Sequence, residues 1–103
     1  MINRADITAF LSDDDAMRLL KTIDSLNPIT LPTDKLCTIK KVSDVMNKPL
    51  KETWKLVDDG YKCGLIVFYG GLLSRKRLDL TELGEKLCEC TAASDVKVVL
   101  DAI

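Results

Sequence analysis

Residues 47–66 read NKPLKETWKLVDDGYKCGLI: a tight turn, a helix, a stop and the start of a strand. Pro49 suits a first helical position, where its missing N–H costs nothing. Leu50, Trp54, Val57 and Tyr61 recur at helical spacing and predict one apolar stripe on the buried side, with bulky Trp54 either in the core or exposed. Lys48, Lys51, Lys55 and Lys62 mostly fall off that stripe. Gly64 stands where a helix commonly ends in a left-handed residue. A helix apolar along one side and lysine-bearing along the other suits a polyanionic partner.

Upstream, Thr38 is placed to cap a helix reaching Met46, with Ile39, Val42, Val45 and Met46 inward and Lys40 and Lys41 outward. Asn47 and Lys48 then make the turn of a helix-turn-helix. Downstream, Leu65 to Tyr69 is a run of strand formers, and Gly70-Gly71 suits a hairpin turn. Ser74 to Leu80 returns as the second strand. Alternation puts Leu78 and Leu80 on the core face and Arg75, Arg77 and Asp79 on the other. Lys76 shares the leucine face but lies nearer the tip.

Farther out, Lys35 to Cys37 suits a short strand, and Asn27-Pro28 with Pro32 predicts a loop over 27–34. Ser12 to Leu26 reads as a helix opened by a Ser12/Asp15 capping box. Its run Asp13–Asp15 is better placed to complement the helix dipole than to do chemistry. Asn3 caps a first helix to Leu11. Thr81 caps another to about Thr91, with Leu83 and Leu87 inward. Ser94 opens a last one bearing Val96, Val99, Leu100 and Ile103. The expected fold is α+β, mostly α, in a single domain over 1–103. Residues 1–11 and 94–103 either cover that core or pair with a second copy.

The chain has 103 residues, 47% of them hydrophobic and only 5% aromatic, so aliphatic side chains must fill the core. Its net charge of −1 conceals a segregation. Residues 1–34 carry a net −3, residues 35–77 a net +6 and residues 78–103 a net −4. Local field steers binding, so an acidic total does not exclude nucleic acid. There is no histidine, which removes the usual general base near neutral pH. No phosphate-cradling glycine loop, nucleophile elbow or paired-carboxylate motif stands out, so no enzyme is expected. Cysteines 37, 63, 88 and 90 form no CxxC pair, so neither a metal nor another cofactor is expected. They read as inert thiols of a reducing compartment. Among the uncharged runs, Cys63 to Ser74 is the longest, and it is too short and glycine-rich to span a bilayer. The MINRAD start has an acid at Asp6 and no apolar signal region, so a cytoplasmic protein without a membrane partner is expected.

The order helix, short strand, helix-turn-helix, hairpin, helix resembles the winged-helix fold. The residues resemble the winged helix-turn-helix regulators of the MarR-like and PadR-like groups, over roughly 13–91. Gly64-Leu65-Ile66 matches their helix-ending Gly-Leu-Ile. Leu80-Thr81-Glu82-Leu83-Gly84 matches their Leu-Thr-x-x-Gly before a closing helix. The resemblance implies a recognition helix in the major groove of double-stranded DNA, with Lys48, Lys51, Glu52 and Lys55 at the groove. It also implies Arg75, Lys76 and Arg77 on a wing at the backbone or minor groove; Lys40 and Lys41 join them as candidate DNA contacts. Gly60 departs from the leucine common in these families and should weaken the helix by about 1 kcal/mol against alanine. Leu72 and Leu73 stand near the wing tip in place of charges. The expected function is a homodimeric DNA-binding transcription regulator. The alternative is a winged-helix adaptor that binds protein and no DNA.

Overall fold

The computed structural model describes residues 3–26, 37–69, 77–90 and 92–102. Among them lie six helices and one two-stranded antiparallel sheet, an α+β arrangement that is mostly helical. The helices are α1 (Arg4–Leu11), α2 (Asp14–Leu26), α3 (Ile39–Met46), α4 (Leu50–Lys62), α5 (Glu82–Cys88) and α6 (Ala93–Asp101). Strands β1 (Ile66–Tyr69) and β2 (Arg77–Leu80) pair Ile66 with Leu80 and Phe68 with Leu78.

Helix α2 is the hub. Ala16, Leu19, Leu20 and Ile23 are buried along one face, and α2 packs against α1, α3, α4, α5 and β2. Around it, Ile7 and Phe10 of α1, Val42 and Met46 of α3, Leu78 and Leu80 of β2, and Leu87 of α5 close one continuous core. Leu78 and Leu80 therefore face inward as the alternation predicts, and Arg77 and Asp79 face the other way.

Starts and stops follow side-chain chemistry. Asn3 caps α1 by accepting from Ala5 N–H at 2.9 Å. Thr38 caps α3 and Thr81 caps α5, as expected. The α2 cap moves by one residue: Asp13 accepts from Asp15 N–H at 2.9 Å, while Ser12 closes α1 by donating to the Ala9 carbonyl. No Ser12/Asp15 box forms, because the two helices are nearly continuous and Ser12 is already committed to the first. Helix α6 likewise starts after Ala92, not Ser94. Pro49 sits at the N-cap of α4, one position before the helix proper.

The largest correction concerns α4. Its buried residues are Thr53, Val57 and Gly60. Leu50 (48%), Trp54 (42%) and Tyr61 (50%) stay exposed. A Cβ on Gly60 would stand 2.6 Å from Ile66 Cδ1 and 3.1 Å from Phe10 Cζ. Helix α4 therefore comes closest to its neighbours along its smallest side chains, which rotates the bulky ones to the flank. Buried Thr53 satisfies its hydroxyl by donating to the Pro49 carbonyl at 3.0 Å. On α3 the same happens to Val45, which is 55% exposed while Ser43 is buried.

Of the expected strand before α3 only Cys37 is among the described residues, and its carbonyl accepts from Leu78 N–H at 2.8 Å. Lys35, the 27–34 loop, the Gly70-Gly71 turn, Leu72, Leu73, Arg75, Lys76 and Ile103 lie outside the described residues.

Candidate functional site

The turn between α3 and α4 is built from the backbone. Asn47 takes the left-handed conformation at φ 54° and ψ 47°. Lys48 N–H then reaches the Ser43 carbonyl at 3.1 Å, and Asn47 N–H reaches that of Asp44 at 3.2 Å. This double closure satisfies the end of α3 and turns the chain in one step. The Ser43 hydroxyl donates back to the Lys48 carbonyl at 2.6 Å. Helix α2 holds the turn from outside: Lys48 Nζ meets Asp15 at 2.7 Å, and Arg18 both pairs with Asp15 and reaches the Met46 carbonyl at 3.3 Å. The hydrogen bond from Lys48 holds the Asp15 carboxyl below its ordinary range, and its counterpart raises the Lys48 ammonium.

Helix α4 ends with the same device. Gly64 has φ 79°; Leu65 N–H reaches the Gly60 carbonyl and Gly64 N–H that of Tyr61, both at 3.0 Å. Here the two sequence signatures meet. The Thr81 hydroxyl donates to the Gly64 carbonyl at 2.6 Å and accepts from Gly84 N–H at 3.1 Å. Thr81 N–H donates to the Leu65 carbonyl at 3.0 Å. The hairpin is thereby fastened at its base to the exit of α4 and the entry of α5.

The predicted contact residues divide into groups. Lys51 and Lys55, one turn apart on α4, are exposed, and among the described residues neither enters an ion pair. Glu52 is exposed beside Lys48, 3.9 Å from its ammonium. Lys62 continues the lysine row but is taken by Asp58 at 2.9 Å. Lys48 is half-buried, its side chain 22% exposed, and belongs to Asp15. Arg77 pairs with Asp79 at 2.9 Å, with its guanidinium carbon 5.6 Å from the Tyr69 ring centroid. Lys40 and Lys41 are exposed at the opening of α3, roughly 10 Å along that helix from the turn. Arg75 and Lys76 lie outside the described residues.

Two features escape a reading by periodicity. One is Asp15, which acts on the turn as well as on its own helix. The other is the exposed flank of α4: Phe68 lies 6.5 Å from Trp54 and 5.1 Å from Tyr61 between ring centroids. The small residues Thr53 and Gly60, either side of Val57, are the signal that foretells it, since close helix approach favours small contacts.

Elsewhere, α1, α2 and α6 border an open cleft of about 690 Å³ lined by Leu11, Met17, Val96 and Leu100, with Lys21 and Lys97 also lining it. The four cysteines are buried and enter no disulfide among the described residues; burial pushes the Cys63, Cys88 and Cys90 thiols up, away from the reactive thiolate. Among the described residues no group of His, Cys, Asp or Glu is placed to hold a metal ion. No described helix is long and apolar enough to cross a membrane. No family model, curated protein or solved structure matches the chain.

Proposed function

We propose that this chain is a DNA-binding regulator of the winged helix-turn-helix kind, with α4 entering the major groove and the β1–β2 hairpin lying along the backbone or minor groove. The observation that carries the reading is the pair Lys51 and Lys55: exposed, unpaired among the described residues, and borne on a helix pinned at both ends. Lysines of this kind neutralise phosphates and release counterions, which supplies affinity without sequence information. Lys51, Glu52 and Lys55 are the side chains positioned to read base edges, as lysine does with guanine and glutamate with cytosine. Lys48 serves mainly to fix the turn, and Arg77 to stiffen the hairpin. One module of this size buries about 600–1,000 Å² on DNA, so a specific site calls for two copies. Val98 of α6, 69% exposed, is a large apolar residue available to such a contact. The inward residues of α1 and α6 already belong to the protein's own core.

The test is duplex binding across a salt series. The parent protein is expected to lose affinity steeply as salt rises, and K51E/K55E to lose most of its binding while keeping its thermal melt. A flat salt response, or full retention by the double variant, removes the proposal. A second reading, an adaptor that binds protein through this fold, is favoured by the exposed Leu50, Trp54 and Tyr61 flank.

A further inference from the structure

That flank is aromatic as well as apolar, and it borders the lysine row. Trp54 and Tyr61 lie seven residues apart on α4, about 10 Å along the axis, and Phe68 of β1 makes ring contacts with both. Lys51 is one turn before Trp54, and Lys55 is its immediate neighbour. Asp58, one turn beyond Trp54, is paired with Lys62 at 2.9 Å. Bases inside a duplex are stacked on one another and offer only their edges, so flat rings gain little there. An unpaired strand presents both a chain of phosphates and free π-faces, and proteins that bind it combine cationic side chains with aromatic platforms.

We propose that Trp54 and Tyr61, with Phe68 set between them, form a stacking platform for the bases of single-stranded nucleic acid, whose phosphates Lys51 and Lys55 meet. The inference shares with the preceding section the premise that the lysine row faces a polyanion, and it adds the class of strand. The platform favours strands that are melted, looped or single from the outset. It is tolerant of base identity, since every base has a π-face.

Trp54 is the single tryptophan, so its emission reports the platform directly. The protein is titrated with an oligothymidylate and, separately, with a mixed-sequence duplex. The expected result is quenching by the oligothymidylate, reversed by salt. W54L keeps apolar bulk and removes the aromatic face. It should weaken oligothymidylate binding by about fivefold or more, the loss of one base stack, and more than it weakens duplex binding. Because quenching is read on the unaltered protein, the test survives a W54L that folds badly. Saturating single-strand binding without any change in emission overturns the platform. Duplex binding with no single-strand binding overturns it and leaves the regulator standing. Binding of neither removes both. Emission that changes on dilution, without nucleic acid, shows that a second copy covers the flank and also overturns the proposal.

Discussion

Gly84 and Gly60 lack a Cβ for different reasons. At Gly84 the missing atom would stand 2.2 Å from the Leu65 carbonyl oxygen, which is backbone and is already bonded to Thr81. At Gly60 the nearest obstacles are the far ends of Ile66 and Phe10, which can turn aside. G84A should therefore cost about 2–3 kcal/mol, at the upper end of overpacking. G60A should cost less, because the roughly 1 kcal/mol that alanine gains in a helix offsets part of the crowding. Urea denaturation of the two variants checks the order, and a G60A more stable than its parent would show that close packing does not require this glycine. In sequence, Gly60 reads as a weak point in a helix. Its contacts come from residues distant in the chain, and local periodicity carries no sign of them. Gly84 is legible only as part of a motif; its physical role appears once Leu65 is seen against it.

The order of elements was readable, because caps and breakers are local chemistry. Asn3, Thr38, Thr81 and Gly64 do in the fold what their side chains, or the lack of one, suggest. The inward face of α4 was not readable in the same way. Leucine, tryptophan and tyrosine outweigh threonine and glycine in any apolar count, yet contact distance selects for small residues. A one-residue choice between Ser12 and Asp13 was equally beyond a pattern that accepts either as a cap. Asn47 reads as a turn residue, and its left-handed geometry makes the choice of residue matter. N47A should lose about 1 kcal/mol, since a left-handed conformation strains a residue bearing a Cβ without a local hydrogen-bonding side chain. N47G should match or exceed the parent. Equal melting temperatures for all three would mean that the α3–α4 turn relaxes to another conformation.

Across the whole molecule, charge is segregated along the chain and joined again by contacts between segments. The net charges of the three regions were legible as totals. The capture of Lys48 by Asp15, Lys62 by Asp58 and Arg77 by Asp79 was not, and it leaves Lys51 and Lys55 as the cations of α4 without an acidic partner among the described residues. The Asp15 link has a pH signature. Its carboxyl is held below the ordinary 3.8, first by the Lys48 hydrogen bond. The contribution is therefore complete above the unfolded value and disappears as pH falls through the lower folded one. The stability difference between the parent and D15N should be level near neutrality and shrink below pH 3.8, as read from urea melts. A difference that persists unchanged in stronger acid would assign Asp15 a packing role in place of an ionic one.

Arg4 of the first helix is paired with Asp101 at the close of the last. The opening turn of α1 and the closing turn of α6 thus share a corner of the fold, so the ion pair closes the described helices into a ring around α2.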